Sequence, residues 1–502
     1  MVWRQVITSF MILSWGVAQA VGQPDAHSVA NQRWFEVRTA HFNLYSCGEG
    51  QEVLKLSARL EQFHDAYSLL AGAQAVTSPP ITVMAFPDHQ SMQPFLPLYQ
   101  GQPISLSGFF KRGEDENLIV LALSGTNQVS LAVIFHEYTH LLLRRNDRVW
   151  PLWLNEGMAE IYSTFDAAGR EVRFGLPIEH HLRLLAETPL MPLADLFAVA
   201  HDSPQYNERE HHGIFYAESW LLTHYLMLGG GPARKAGLGE LTRLLRLGQA
   251  PAQAFTNAFR ATLPAMEKEL RGYLDRGQFE PIHWTVGMDL SAPRAASTRR
   301  LTSAEASARL GNLLLRIDRL DTAESFFAEA RKLAPESPLP YEGLGLLAAE
   351  RHKSDDAVHL LKDSFQRGST NFLAHYIYAR EQYHLTADSG DRYSPLSKDA
   401  AAEIRSELKK SLALMPNFGP ANQLFGFFEM VQGEDLAAAE QHLQKAIQLE
   451  PENQWYLLAL AQLELRRNDS TAARRALEPL CFPYVEAKLR ERAQEMLREI
   501  GH

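Results

Sequence analysis

The chain has 502 residues, of which 46% are hydrophobic and 22% are charged, so it contains enough apolar material for two or three folded domains. Its formal net charge is -10 at pH 7, and no basic run offsets that charge, which excludes nucleic acid as the main partner. The two cysteines, Cys47 and Cys481, cannot form a zinc-thiolate cluster by themselves. They lie in different predicted domains, so a disulfide between them is conceivable but not expected.

The amino terminus has the three parts of a secretory signal. Residues 1–4 form a short basic start, Val6–Val17 is an apolar stretch too short for a typical membrane span, and Ala18–Ala20 is a small-x-small cleavage pattern. We therefore predict a signal peptide at residues 1–20, cut after Ala20, and a secreted or periplasmic protein without a stable membrane span. The alternative is an uncleaved membrane anchor.

A mixed α/β segment follows. Alternating apolar residues predict one strand over Trp34–Tyr45 and another at Ile81–Phe86, and the amphipathic stretch Gln51–Leu70 predicts a helix. Two further extended runs, Ser107–Lys111 and Asn117–Leu123, flank a polar turn and predict a β-hairpin.

The next segment carries an HExxH motif, His136–His140. It lies within Val129–Leu143, a stretch that is almost entirely apolar or compatible with a helix. Residues four apart lie on one face of a helix, so His136 and His140 can reach one metal ion with Glu137 beside them. Histidines and a glutamate in a buried helix need partners, and a metal ion is such a partner.

A second helix is predicted from Pro151, which suits a first helical turn. It places Glu156 and Glu160 four residues apart within a mostly apolar segment. Catalytic zinc takes three protein ligands and leaves one position for water, and His136, His140 and Glu156 make up such a set. Glu160 is expected to hold the second ring nitrogen of a ligand histidine.

These residues resemble the gluzincin metallopeptidases, the group that includes thermolysin and aminopeptidase N. In that group HExxH is followed on a second helix by an Asn-Glu pair, often as WLNEGxAE, and this chain has every letter of it from Trp153 to Glu160. The resemblance covers Trp34–Leu274 and is greatest to secreted peptidase-MA-like proteins that join such a domain to helical repeats. It implies an α+β, thermolysin-like (zincin) catalytic domain, placed at residues 21–290, with Zn²⁺ as cofactor.

The resemblance also implies roles for single residues. Glu137, which is not a ligand, would act as general base on a zinc-activated water, and Asn155 would support the ligands. Gluzincins usually add a donor from a later helix to stabilise the oxyanion. Tyr216, in the apolar helix predicted at Ile214–Leu228, is the candidate, and a purely packing role is the alternative.

A substrate strand is implied in the same way. In gluzincins an edge strand before the active-site helix binds extended peptide through its backbone. Gly108 and Phe109 are its counterparts here, and an ordinary half-buried strand is the alternative. No GxMEN-like segment occurs nearby, so the pocket for a free amino terminus is not supported, which favours an endopeptidase.

The sequence changes character after residue 290. Residues 291–303 have no apolar periodicity and are interpreted as a linker. Residues 304–500 resemble tetratricopeptide repeats, with a period of about 34 residues, small residues where helices would cross, and a degenerate unit that carries a polar insertion at Thr386–Lys398. The clearest units contain Leu310, Gly311, Ala323, Phe327, Ala330 and Pro335, then Leu344, Gly345, Ala357 and Leu361, then Ala439, Leu443, Ala446 and Pro451, then Leu460, Ala461, Ala473 and Leu477. We therefore predict an all-α solenoid.

Two functions are compatible with this pattern. The first is an exported zinc metallopeptidase that hydrolyses peptide bonds and binds a protein or peptide partner through its repeats. The alternative is a repeat-based interaction protein whose peptidase-like domain is inactive or structural. The retention of Glu137 beside a complete ligand set favours the enzyme, because an inactive domain has no chemical need for a carboxylate that binds no metal.

Overall fold

The computed structural model describes residues 25–71, 81–99, 102–103, 108–113, 115–124, 128–144, 150–200, 203, 206, 213–290, 296–387, 395–451, 453–482 and 485–501. The predicted signal peptide at residues 1–20 lies outside this part of the chain. Within it, no helix is long and apolar enough to cross a membrane. Contacts divide the chain into two compact units, one ending at Leu301 and the other beginning at Thr302.

The first unit combines strands and helices. Its strands are β1 (Phe35–Arg38), β2 (Phe42–Ser46), β3 (Ile81–Phe86), β4 (Leu98–Tyr99), β5 (Gln102–Pro103), β6 (Gly108–Lys111), β7 (Asn117–Ala122), β8 (Asp166–Ala168), β9 (Glu171–Phe174), β10 (Ile282–Thr285) and β11 (Ser297–Arg300). Its helices are α1 (Ala26–Ala30), α2 (Gly50–Ala71), α3 (His89–Met92), α4 (Gln128–Arg144), α5 (Leu152–Ser163), α6 (Glu179–Glu187), α7 (Leu193–Ala198), α8 (Ile214–His224), α9 (Gly231–Arg246), α10 (Pro251–Phe259) and α11 (Leu263–Arg276). A 3₁₀ turn, Gln93–Phe95, follows α3, and a π-helical segment, Tyr225–Gly229, continues α8.

Six of the described strands form the main sheet, in the order β11-β1-β2-β3-β7-β6, and the others form a three-stranded sheet, β10-β9-β8, and a two-stranded sheet, β4-β5. Within the main sheet the pairings are mixed. The β2-β3 and β3-β7 pairs are parallel and the others antiparallel. Every residue of β3 and β7 is buried, as expected for central strands covered on both faces. The hairpin predicted from sequence is confirmed, because β6 pairs antiparallel with β7 and Gly108 lies opposite Leu121.

The prediction of one continuous strand over Trp34–Tyr45 is wrong. The segment forms two antiparallel strands, β1 and β2, and the turn between them is held by Glu61 of α2. That carboxylate accepts hydrogen bonds from the Thr39 hydroxyl at 2.6 Å and from the His41 backbone N–H at 2.9 Å. A turn stabilised by a side chain about 20 residues away leaves no signal in local alternation.

The structure also differs from the predicted linker at 291–303. Ser297–Arg300 forms β11, an edge strand paired with β1, with Phe35 opposite Arg300. Arg299 Nε lies 2.5 Å from Oε2 of Glu36, a carboxylate that is 1% exposed. All four β11 residues are exposed, so the strand has no apolar alternation and its sequence resembles a polar connection.

Two helices of the first unit position the predicted metal ligands. On one side α4 packs on α2, where the ring of Phe135 stacks on that of Phe63 at 4.5 Å between centroids. Helix α5 packs against both α4 and α8. Its approach to α8 depends on Gly157, because a Cβ there would lie 2.0 Å from Oγ1 of Thr223 and 2.3 Å from the carbonyl oxygen of Ser219. The ligand helices are therefore fixed by close packing.

The second unit is an array of helix pairs. Its helices are α12 (Ser303–Arg316), α13 (Leu320–Leu333), α14 (Leu339–Glu350), α15 (Ser354–Gln366), α16 (Phe372–Ala387), α17 (Lys398–Leu414), α18 (Gly419–Gln432), α19 (Leu436–Leu449), α20 (Trp455–Arg466), α21 (Ser470–Leu477) and α22 (Ala487–Ile500), with a 3₁₀ turn at Glu478–Cys481. Successive pairs from α12 and α13 to α20 and α21 pack on each other. The same turn recurs within the pairs, with a left-handed residue at Asp318, His352, Gly433 and Asn468. The predicted repeat array is confirmed.

The predicted small residues at helix crossings are also present. The ring of Phe327 fills the space beside two glycines, since a Cβ would lie 2.7 Å from it at Gly311 and 2.1 Å from it at Gly343. A Cβ at Gly345 would likewise lie 2.6 Å from Leu361. The polar insertion predicted at Thr386–Lys398 lies largely outside the described residues; α16 ends at Ala387 and α17 begins at Lys398. Cys47 and Cys481 are both free.

Candidate metal centre

The structure brings the three predicted ligands together. Nε2 of His136 lies 3.1 Å from Nε2 of His140. Oε2 of Glu156 lies 3.4 Å from the first of these nitrogens and 3.3 Å from the second. Two ligand atoms about 2.0–2.1 Å from a tetrahedral zinc ion are about 3.3–3.4 Å apart. The three atoms form a nearly equilateral triangle of that size, so the residues fit a zinc ion.

Each histidine turns its other ring nitrogen to an oxygen. Nδ1 of His136 lies 3.3 Å from Oε1 of Glu160, and Nδ1 of His140 lies 3.3 Å from the side-chain oxygen of Asn155. An N–H at Nδ1 leaves Nε2 with the lone pair that a metal requires, and it fixes the ring orientation. Glu160 and Asn155 thus lie where the sequence predicts supporting residues, one beside each ligand histidine.

The ligand carboxylate has a similar partner. The Tyr206 hydroxyl donates a hydrogen bond to Oε1 of Glu156 at 3.2 Å. Since Oε2 of Glu156 faces the two histidines, the carboxylate presents one oxygen to the metal position and the other to a phenol. Tyr206, itself 8% exposed, was not predicted from sequence, because it lies outside any periodic element.

Glu137 lies beside the triangle without belonging to it. Its side chain is buried, and within the described residues its Oε1 makes no hydrogen bond. Burial raises the pKa of this carboxyl above its usual value, against the opposing charges of His136 and His140. A carboxylate with a raised pKa and an unoccupied acceptor atom is suited to take a proton from a bound water.

The pKa shifts of the predicted ligands and of Glu160 indicate that the site favours a bound positive charge. Burial by itself would lower the pKa of His136, but the carboxylates of Glu160 and Glu156 hold that pKa well above its usual value. Burial would likewise raise the pKa of both glutamates, and the neighbouring histidines hold both pKa values below the usual range. Three carboxylates and two imidazoles in a buried cluster call for a cation to compensate their desolvation.

His181 is a further residue that the sequence did not identify. It lies on α6 and is fully buried, and its Nε2 is 3.3 Å from Oε2 of Glu160. The only sequence signal is its position on the buried face of an amphipathic helix, four residues before the buried Leu185. A histidine on such a face is more often a packed residue than part of a site, so the sequence alone could not distinguish the two.

Tyr216, the predicted catalytic tyrosine, is separated from the candidate metal centre by Tyr206. Tyr216 is fully buried on α8, and its ring stacks on that of Tyr206 with centroids 5.9 Å apart. Tyr206 is the one of the two whose hydroxyl bonds a site carboxylate in the described residues. The role of Tyr216 as oxyanion donor stays a prediction.

The predicted substrate strand lies next to α4, the helix that carries His136 and His140. Strand β6 is an edge of the main sheet as described and packs beside α4. Gly108 is buried and close to β7, since a Cβ there would lie 2.9 Å from the Val120 carbonyl oxygen. The Phe109 side chain is 1% exposed, so this residue could offer a substrate only its backbone.

A second group of possible ligands in the described residues consists of His41, His64 and Asp65. Its geometry differs from that of the triangle. The rings of His41 and His64 stack with centroids 3.7 Å apart and an angle of 26°, so their nitrogen lone pairs lie in two separate, nearly parallel planes, which is poor geometry for binding one ion. Their Nδ1 atoms contact Glu61 and the Tyr138 hydroxyl. This group is a polar cluster that supports α2, α4 and the β1-β2 turn.

Comparisons with known proteins found a likeness for part of the chain. No family model matches it, and no curated protein matches it. Among solved structures, it is similar to YrrB, a TPR protein with an unusual peptide-binding site, at 16% identity over 38% of this chain and 92% of that one, with a TM-score of 0.32. It is also similar to a thermophilic TPR protein of Thermus thermophilus, at 23% identity over 39% and 99% with a TM-score of 0.30. A third is PilW, a type IV pilus biogenesis factor, at 18% identity over 38% and 82% with a TM-score of 0.31.

Proposed function

We propose that this protein is an exported zinc-dependent metallopeptidase that carries a tetratricopeptide-type repeat unit for protein or peptide binding. The observation that carries the proposal is the triangle formed by His136 Nε2, His140 Nε2 and Glu156 Oε2, with edges of 3.1, 3.4 and 3.3 Å. Its dimensions are those of three zinc ligands, and the donor set is the one expected of catalytic zinc.

When bound, zinc would supply Lewis acidity, which lowers the pKa of a water molecule and polarises a carbonyl group. The residues of the chain do the rest. Glu137 takes a proton from that water and returns it to the leaving amine. Asn155 and Glu160 orient the imidazoles of His140 and His136 through their Nδ1 atoms, so that both Nε2 atoms keep their lone pairs.

A hydroxyl donor is also available for the oxyanion of the tetrahedral intermediate. Tyr216 is the residue implied by the resemblance to gluzincins, but its ring lies behind Tyr206 and is fully buried. The hydroxyl of Tyr206 is already at the site, where it bonds Glu156. Geometry therefore favours Tyr206 as the donor: its single O–H would turn from Glu156 to the oxyanion, while Tyr216 holds its ring by stacking.

Strand β6 supports a peptide substrate. An extended chain that pairs with the outer edge of this strand in the sheet as described would run beside α4, which carries His136 and His140. Backbone pairing of this kind binds a segment from the middle of a chain as readily as a terminus. This agrees with an endopeptidase, and Gly108 and Phe109 would contribute backbone groups to the pairing.

The test combines metal analysis with cleavage of a mixed peptide library. We expect the wild type to hold one zinc ion per chain. Glu137→Gln should keep that zinc and lose cleavage by about 10²–10⁴-fold. The matched control is Glu179→Gln, a carboxylate that is 91% exposed on α6, which should cleave as the wild type does. A wild type without stoichiometric zinc, or equal cleavage by wild type and Glu137→Gln, would contradict the enzyme proposal.

The second candidate is a repeat-based interaction protein whose first unit is inactive. The stacked helix pairs of the second unit, from α12 and α13 to α20 and α21, favour it, because arrays of this kind present extended binding surfaces. This candidate requires no chemistry in the first unit. Under it a protein partner is retained by Glu137→Gln and by the wild type alike, while neither protein cleaves peptides.

A further inference from the structure

His181, the buried histidine on α6, is not explained by packing alone. His181 is fully buried, and within the described residues neither of its ring nitrogens has a hydrogen bond of good geometry, although Nε2 approaches a carboxylate. A buried polar group without hydrogen bonds is costly, and native structures rarely keep one without a purpose. The group opposite it is the carboxylate of Glu160, with Nε2 and Oε2 3.3 Å apart.

That carboxylate lies between two imidazoles. Oε2 of Glu160 faces Nε2 of His181, and Oε1 faces Nδ1 of His136, in each case at 3.3 Å. The side chains of all three residues are at most 4% exposed, so water does not compete for either oxygen. Because each oxygen of the Glu160 carboxylate faces one imidazole, the two rings together restrict the rotation of this carboxylate. His181 therefore acts on His136 through Glu160.

We propose that His181 is a positioning residue of the metal centre, which holds the Glu160 carboxylate in the orientation that aims Nε2 of His136 at the metal. The proposal rests on the proposed zinc site. It extends that site to a third helix, α6, and makes metal affinity depend on a side chain that contacts neither metal nor substrate. Groups that orient a ligand histidine typically change metal affinity about 10–100-fold when they are removed.

The packing around His181 explains why its ring can fill this role. The ring lies next to the indole of Trp220 on α8, with centroids 6.2 Å apart, and beside His180 at 4.2 Å. These aromatic neighbours restrict the rotation of the His181 ring. The position of His181 on α6 determines where its Nε2 contacts the Glu160 carboxylate. A rigid donor is what a carboxylate needs if it is to hold another ring in turn.

The test uses two variants of similar size that differ in their ability to donate. In His181→Gln the amide N–H₂ reaches about as far as Nε2 of the imidazole, whereas His181→Met fills the same space without a donor. We expect His181→Met to weaken zinc binding about 10–100-fold in chelator competition and to alter the visible spectrum of the cobalt-substituted protein. We expect His181→Gln to stay within about threefold of the wild-type affinity. If His181 had only a structural role, the cobalt spectrum and the zinc affinity would not differ between the variant that can donate a hydrogen bond and the one that cannot.

The outcomes separate this inference from the proposed function. A wild type that binds no zinc overturns both. A wild type that binds zinc, with His181→Met within threefold of its affinity, overturns the inference alone. If His181→Met does not fold, His181→Asn replaces it, because its shorter amide stays polar but does not reach Glu160. In either case the loss should disappear in a Glu160→Gln background, and additive losses would overturn the inference.

Discussion

The phenol oxygen of Tyr206 lies 3.2 Å from Oε1 of Glu156, the predicted ligand whose other carboxylate oxygen faces the two histidines. A hydroxyl in this position favours one orientation of the carboxylate and keeps a single oxygen available for the metal. It also brings a donor to the edge of the site. Under the proposed function, the bond to Glu156 and the donor hydroxyl give Tyr206 two separable effects.

Tyr206→Phe should therefore weaken zinc binding and slow cleavage. The ring stacking on Tyr216 would remain, but the bond to Glu156 would be lost, and we expect zinc affinity to fall about tenfold. With zinc in excess, kcat should still fall by roughly 10²-fold if the hydroxyl stabilises the oxyanion. Tyr216→Phe is the matched control and should change both quantities little. A larger loss of kcat in Tyr216→Phe than in Tyr206→Phe would identify Tyr216 as the donor.

Gly157→Ala tests whether the close approach of α5 and α8 holds the ligand Glu156 in place. The added Cβ would lie 2.0 Å from Thr223 Oγ1 and 2.3 Å from the Ser219 carbonyl oxygen, so the helices must separate. We expect a loss of about 1–3 kcal/mol in the free energy of unfolding, together with weaker zinc binding. Gly239→Ala is the control, because Gly239 is exposed on α9 with open space around its Cβ position. It should stabilise the protein by about 0.5–1 kcal/mol, and equal effects of the two variants would contradict the prediction.

Glu218 should make stability depend on pH. It is fully buried on α8, its Oε2 accepts the Met191 backbone N–H at 2.8 Å, and burial, with the nearby Glu267, raises its pKa to about 7. Between its ordinary pKa of 4.5 and about 7 the folded protein keeps a proton that the unfolded chain has lost. The stability from this group is therefore complete below pH 4.5 and lost as the pH rises to 7.

Glu218→Gln removes that titration. We expect the variant to gain stability relative to the wild type as the pH rises from about 4.5 to 7, by up to about 3 kcal/mol. The measurement is urea unfolding of both proteins across this pH range. Glu187→Gln, at an exposed position on α6, is the control and should follow the wild type at every pH. A constant difference between wild type and Glu218→Gln would show that Glu218 does not titrate in this range.

The predicted ligand set depended on local periodicity, and folding preserves local periodicity. His136 and His140 lie one helical turn apart on α4, and Glu156 and Glu160 do so on α5, so helical periodicity alone puts each pair on one face. The helix after Pro151 and the buried strands β3 and β7 were found in the same way. Within such elements the core itself requires the pattern that the sequence shows.

The residues that were missed act through tertiary contacts alone. Tyr206 lies far from Glu156 in sequence, outside any helix or strand, and His181 reaches Glu160 from a separate helix. Strand β11 pairs with β1 across more than 250 residues and consists of polar side chains. In each case the residue contacts a partner that is distant in sequence. The local pattern of a single sequence does not indicate such a contact.

In the repeat unit, the ring of Phe327 packs against glycines of two helices. A Cβ at Gly343 would lie 2.1 Å from its ring, and one at Gly311 would lie 2.7 Å from it. Gly343→Ala should cost about 1–3 kcal/mol in the free energy of unfolding, because the fully buried ring has no space into which to move. Phe327→Leu replaces the ring with a smaller side chain and should cost about 1–3 kcal/mol by itself. The double variant should be less destabilised than the sum of the two, since the smaller side chain makes room for the added methyl group. Additive losses in this cycle, measured by urea unfolding, would mean that the glycine serves another purpose than accommodating the phenylalanine.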